Sequence, residues 1–368
     1  MKIKTITCHD VYNYGASLQA YALQQFLLSL GHDVEIIDYK PDYMRIHYKF
    51  WYVPKSSHYY AKSEKSVIFK FMLCCYFAPK RFATYGRKVE FDRFRNKYLK
   101  LTKRYNSYSE LAQDAPEANV YIAGSDQIWN CSLPNGKDPA YFLQFGDGKI
   151  KRISYAASFA IPEIPKEYKS CIKQWLSVFN AISVREHTGL SILKSLDIEN
   201  GVEVMDPVFL LSKEKWMNFI GERYIKKKYI LVYDLYLNDN RLEREAKRLS
   251  EQNDLEIIAI DGNVKCKYAH KNISNAGPNH FVNLIENAEY VITNSFHATA
   301  FSLIFNKPFR VYYKFGNVSR ISDILCHLGL SDCLNCETHD YEFEWETVNK
   351  KLSRLIESSF EFLEEHLK

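Results

Sequence analysis

Nowhere in the sequence do about 18 apolar residues run on without a charge, so a membrane-spanning helix is not expected. Met1 to Cys8 has no basic stretch leading into an apolar one and goes straight into a strand-like alternation, so no secretion signal is read there. The nine cysteines, an odd number, fit reduced cytosolic thiols and not a disulfide framework. Only Cys333 and Cys336 stand at CxxC spacing. Cys326 and His327 lie near them without forming a second pair, so incidental thiols are expected and a metal is not. No segment is biased enough in composition to be read as disordered.

What is there is an ordinary globular mixture, 46% hydrophobic and 25% charged, over 368 residues. That length favours two domains. The net charge of +5 is unevenly spread. Lys40 to Arg104 holds 17 Lys or Arg against four acids, a local +13, which leaves 5 − 13 = −8 for the rest. A basic, tyrosine-rich insertion on a mildly acidic body points to a local anionic partner. No recognised nucleic-acid module accompanies it, so no nucleic acid is expected as partner.

Lys2–Cys8 alternates as a strand, Ala16–Leu30 has helical spacing up to Gly31, and Asp33–Tyr39 reads as a second strand. Strand, helix, strand favours a parallel sheet with right-handed crossovers. Further strand-like runs are predicted at Asn119–Ala123, Arg152–Ala157 and Ala181–Val184, with a helix over Thr188–Leu196. A second series follows, with strands at Tyr229–Tyr233, Glu256–Ile260, Tyr290–Thr293 and Phe309–Tyr313 and helices at Asn240–Glu251, Phe281–Ala288 and Ala298–Phe305. The expected fold is α/β, with two Rossmann-like domains facing a cleft in the manner of B-type glycosyltransferases. The expected division is 1–205, with the insertion at about 40–105, then 206–340, with 341–368 a helix packing back on the body.

Ligands of open parallel sheets sit beyond the carboxyl ends of the strands, so the residues there are the candidates. After the first strand, Asn13, Tyr14 and Gly15 open a helix whose free N–H groups suit a phosphate or sugar hydroxyl. An ordinary turn and N-cap explain them equally well. Ser125, Asp126, Gln127 and Trp129 offer a carboxylate, an amide and an indole face to a sugar ring, or else a turn with a core tryptophan. Arg185 ends a strand, where it either forks across an anion or pairs with Glu186. Ser295 and His297 open a helix at the predicted cleft, with His297 a base or hydrogen-bond donor, or else a structural histidine.

Taken in order, Asn13 to Leu23, Ala123 to Asn130, Ser183 to Glu186, Asp206 to Val208 and Ser295 to Ala298 resemble the polysaccharide pyruvyl transferase family. The resemblance spans roughly residues 1 to 330. It implies phosphoenolpyruvate as donor, a sugar diol as acceptor and a pyruvate ketal as product, with no cofactor. It also implies Arg185 on the donor anion and His297 at the reacting centre. Family members often carry an arginine where this chain has Ser295, and Arg310 or Arg320 is the candidate replacement. Asp126 is the candidate acid, and Asp206 is read as a turn residue before Pro207. The rival readings are a nucleotide-sugar glycosyltransferase of the same architecture and a silent glycan-binding member.

A cytoplasmic place follows from the cysteines. Glycans are commonly assembled on lipid carriers at the inner membrane face, and the acceptor is either lipid-linked or free. Val67–Ala78 is apolar with a single lysine and too short to span. It fits either a helix lying at that interface, giving peripheral membrane contact, or a buried helix with a solvated basic face.

Overall fold

The computed structural model describes residues 1–45, 51–53, 57–83, 85–236, 239–261, 265–313, 319–336 and 342–368. Residues 46–50 and 54–56 of the basic segment, and Tyr341 at the expected start of the last helix, lie outside the described residues.

The first half builds strands β1 (Lys2–Ile6), β2 (Asp33–Tyr39), β3 (Leu101–Tyr105), β4 (Val120–Ala123), β5 (Lys151–Ser154), β6 (Ser183–Val184) and β7 (Val202–Glu203). Its helices are α1 (Tyr14–Ser29), α2 (Asp42–Arg45), α3 (Tyr60–Lys65), α4 (Val67–Ala83), α5 (Tyr85–Tyr98), α6 (Tyr108–Gln113), α7 (Lys166–Leu176) and α8 (His187–Lys194). The second half builds β8 (Tyr229–Tyr233), β9 (Glu256–Ile260), β10 (Lys271–Ile273), β11 (Tyr290–Thr293) and β12 (Phe309–Val311). Its helices are α9 (Lys213–Ile220), α10 (Asn240–Asn253), α11 (Pro278–Glu286), α12 (Phe296–Ile304), α13 (Ser319–Leu328) and α14 (Trp345–His366).

All strand pairs are parallel, and the two main sheets repeat one order, β3-β2-β1-β4-β5 and β10-β9-β8-β11-β12. Isolated bridges Ile153–Ala181 and Ala157–Val184 carry the first sheet on towards the β6-β7 pair. The order reverses between β1 and β4 and again between β8 and β11, the switch points where such sheets open a crevice. The architecture is therefore α/β with two Rossmann-like halves of glycosyltransferase B-like form.

Local chemistry explains the elements that frame the site. Asn13 caps α1 by accepting the Ala16 N–H, and the helix gives way after Leu30 at Gly31, whose φ of 84° is open to glycine at little cost. β3 was not expected from the sequence. Its burial pattern is mixed because it forms a sheet edge, and only Tyr105 is fully buried. α14 returns to the first half, where Phe360 stacks on Phe26 at 5.0 Å and the Ser359 hydroxyl accepts the Met205 N–H. The halves also meet through Tyr14, whose ring stacks on Phe281 at 4.5 Å and whose hydroxyl donates to the Ala276 carbonyl. Among the described residues no helix is long and apolar enough to cross a membrane.

Candidate active site

Five of the candidates converge where the two switch points face each other. Asn13 precedes α1 behind β1, Asp126 and Gln127 follow β4, and Ser295 and His297 begin α12 behind β11. Together with Arg320 of α13 they line one cavity of roughly 190 Å³. A second cavity of roughly 210 Å³ lies beside it, lined by Arg185, Asp206 and Ile324, and the two share Phe296 and Arg320.

Arg185 is the electrostatic centre. Its Nη1 donates to Asp206 Oδ2 at 2.6 Å, Asp126 Oδ1 stands 3.9 Å from Nη2, and Glu186 Oε2 stands 4.0 Å from Nε. Its guanidinium also lies over the Phe296 ring at 5.1 Å. Burial disfavours this cation, but Asp206, Asp126 and Glu186 outweigh burial and raise its pKa. Among the described residues Nε and Nη2 nevertheless have no hydrogen-bond partner, and neither does the solvent-shielded Nε of Arg320. Burial and the nearby Arg185 charge lower the pKa of Arg320. Two cations held together with unsatisfied N–H groups are what an anionic ligand would relieve.

Asp206 does more than the turn role read from the sequence. Its Oδ1 accepts the Val208 N–H and starts the 3₁₀ turn Pro207–Leu210, while Oδ2 holds Arg185 and lies 3.5 Å from His297 Nε2. Burial pushes its carboxyl up, but His297, Arg185 and the Val208 N–H together hold it well below the usual carboxylate range. The signal available in the sequence was an Asp-Pro pair, which names a turn and not its second oxygen. His297 sits in the first turn of α12 behind Ser295, which caps that helix by accepting the Ala298 N–H. Asp126 holds a φ of 73°, a left-handed conformation that turns the chain sharply at the cleft.

Several expected ligand contacts are corrected. Trp129 is fully buried, stacks on Phe142 at 5.5 Å and donates from Nε1 to the Tyr141 carbonyl, so its face belongs to the core and not to a sugar. Tyr14 borders the cavity but is only 1% exposed, and it also serves the contact between the halves. Gly15 borders the cavity and also leaves room for a side chain, because a Cβ there would lie 2.0 Å from His297 Nδ1. Ser125 is fully buried and donates to Asp206 Oδ2 at 3.3 Å, beneath the cavity. Arg310 lies elsewhere, in a cavity at the opposite, amino-terminal ends of β11 and β12 with Tyr290 and Pro308. It does not replace the charge missing at Ser295, whereas Arg320 stands in the site. Two tyrosines that the sequence did not single out do line the cleft, Tyr236 and Tyr313, with hydroxyls 3.3 Å apart.

The described residues include all nine cysteines, and none is in a disulfide. Among the described residues no group of three or more His, Cys, Asp or Glu is arranged to hold a metal.

Two facing Rossmann-like halves, with arginines and a histidine gathered at their switch points, define a protein of glycosyltransferase B-like build. Residues 13–313 match the family model described as "Polysaccharide pyruvyl transferase", and the chain belongs to that family of transferases of polysaccharide biosynthesis. No curated protein matches the chain by sequence. Among solved structures, a putative UDP-N-acetylglucosamine 2-epimerase from Listeria monocytogenes is similar in fold, with TM-score 0.51 and 8% identity over 98% of this chain and 89% of that one. The UDP-GlcNAc 2-epimerase from Methanocaldococcus jannaschii aligns with TM-score 0.48 and 14% identity over 97% and 93%.

Proposed function

We propose that this enzyme transfers the pyruvyl group of phosphoenolpyruvate to a sugar diol of a surface glycan, forming a cyclic ketal and releasing phosphate. The observation that carries the reading is the pair Arg185 and Arg320, with three solvent-shielded guanidinium nitrogens that make no hydrogen bond among the described residues, at adjoining cavities. An unsatisfied buried donor costs about 1–3 kcal/mol, so the arrangement favours a ligand rich in anionic oxygens. The two cavities, roughly 190 and 210 Å³, adjoin at Phe296 and Arg320, so both arginines can reach one ligand.

In the proposed reaction Arg185 and Arg320 bind the phosphate and carboxylate of the donor. Asp126 delivers a proton to the methylene carbon, leaving C2 electrophilic. A sugar hydroxyl, losing its proton to His297, forms a bond from its oxygen to C2. The bond from C2 to the bridging oxygen then breaks and its electron pair leaves with phosphate, which Arg185 stabilises. A neighbouring hydroxyl closes the second bond to C2, and its proton leaves with the phosphate. Two hydroxyl protons are lost, one proton is gained at carbon and one at phosphate, with no net redox change and no cofactor. Tyr236, 56% exposed, and Tyr313 offer the aromatic surface for the acceptor ring.

Calorimetric titration with phosphoenolpyruvate and with a panel of nucleotide sugars tests the reading. Saturable binding of phosphoenolpyruvate that is weakened in Arg185→Ala and in Arg320→Gln is expected. Binding of a nucleotide sugar alone overturns it and favours a glycosyltransferase.

A further inference from the structure

The helix α4 carries its apolar residues on the outside. Val67, Ile68, Phe71, Met72, Cys75 and Tyr76 recur at the spacing of one helical face, and every one of them is exposed, Val67 by 81%, Ile68 by 73% and Tyr76 by 77%. The opposite face buries Leu73 and Cys74. The reading of α4 as a buried helix is thereby corrected: the helix is packed on one side and bare on the other. Over 17 residues it is about 25 Å long, and six neighbouring apolar side chains make a patch that an isolated surface leucine does not.

The surroundings of the patch select its occupant. Trp51, half exposed, lies with its ring 5.8 Å from that of Phe71 and extends the patch. Lys62 and Lys65 stand exposed just before the helix. A second copy docking patch to patch would bring these like charges together, whereas an anionic headgroup layer neutralises them while its acyl boundary takes the apolar stripe. Tryptophan and tyrosine at the border are the side chains that settle at such a boundary. α4 also leads directly into α5, which reaches the cleft. Arg87 donates to the Tyr12 carbonyl at 3.1 Å and covers the Tyr14 ring at 4.9 Å, and a Cβ on Gly86 would meet the Asn275 side chain at 2.6 Å. A surface held by α4 is thus tied to both halves near the cleft.

We infer that the outer face of α4, with Trp51 and the lysines before it, is a docking surface for an anionic lipid bilayer, on which the enzyme lies peripherally. The inference stands independently of the donor, because it rests on exposure and charge and not on the arginine site.

Co-flotation of the full-length protein with vesicles tests it, without any substrate. Vesicles of phosphatidylglycerol mixed with phosphatidylcholine should carry the protein up at low salt, and pure phosphatidylcholine vesicles should carry much less. The doubly substituted Ile68→Asp and Met72→Asp protein should bind at least about tenfold more weakly, since each change removes an inserted apolar side chain. Lys62→Glu with Lys65→Glu keeps every apolar residue of the outer face and should abolish the preference for anionic vesicles. No flotation with anionic vesicles, or flotation unchanged in both variants, overturns the inference. So does a dimer in light scattering that dissociates in the Ile68 and Met72 variant, because a second copy then covers the face.

Discussion

A Cβ on Gly15 would stand 2.0 Å from Nδ1 of His297, so the first turn of α1 in one half is shaped around the imidazole of the other. Real Cβ atoms do not approach so closely, and the histidine or the helix must move. Gly15→Ala should therefore displace His297 by an ångström or so and lower kcat by about 100-fold. Alanine is otherwise the better helix former by roughly 1 kcal/mol, so circular dichroism should show the helices intact. A variant of near-normal kcat would show that the position of the ring does not govern the reaction.

Arg320→Gln should separate stability from binding. The arginine is disfavoured by burial and by the charge of Arg185, so its removal should raise the melting temperature of the ligand-free protein. The same change should weaken phosphoenolpyruvate by roughly 10- to 100-fold, the loss of a charge-assisted contact. Arg310→Gln, in the separate cavity, should leave donor affinity unchanged when both are titrated by calorimetry.

Asp206→Asn keeps an oxygen for the Val208 N–H and removes the charge that faces Arg185. The Asp206 side chain is 0% exposed and that of Arg185 1%, so the guanidinium is left buried without its nearest partner. Breaking such a pair costs about 3–5 kcal/mol, to be read from the urea midpoint at constant slope.

Asp38 contributes to stability in acid. It is buried, which raises its pKa, but hydrogen bonds from His9 and Arg104 bring it down to about 2, below the unfolded value of about 3.9. Its contribution is therefore fully present above about pH 4 and is lost as pH falls towards about 2. Asp38→Asn should flatten the stability curve in that window, measured by chemical denaturation across pH, with His9 and Arg104 left unchanged. An unaltered slope would place the acid sensitivity elsewhere.

Much of the fold was legible along the chain. Strands Asp33–Tyr39, Tyr229–Tyr233, Glu256–Ile260 and Tyr290–Thr293 occur where alternation or an apolar run between turn formers predicted them. They are readable because each is a local pattern of about two-residue period or a short run with its own boundaries. β3 and β10 escaped notice because edge strands are only partly buried and show no such run. Position at strand ends also pointed correctly to Asp126, Ser295 and His297 as neighbours of a cleft. Trp129 misled, since a strand-end tryptophan turned towards a sugar and one turned into the core have the same sequence.

By itself, the sequence determined the alternation of strands and helices, the parallel α/β plan, the family and the strand ends at which polar residues collect. These depend on short-range periodicity and on ordered local motifs. Only the tertiary structure decided that Gly15 makes room for His297, that one oxygen of Asp206 holds Arg185 while the other caps a turn, that Arg320 and not Arg310 enters the site, and that α4 faces outward. Each of those depends on side chains far apart in the chain meeting at a few ångströms, and no local period records which distant partner will fill a space or leave a face bare.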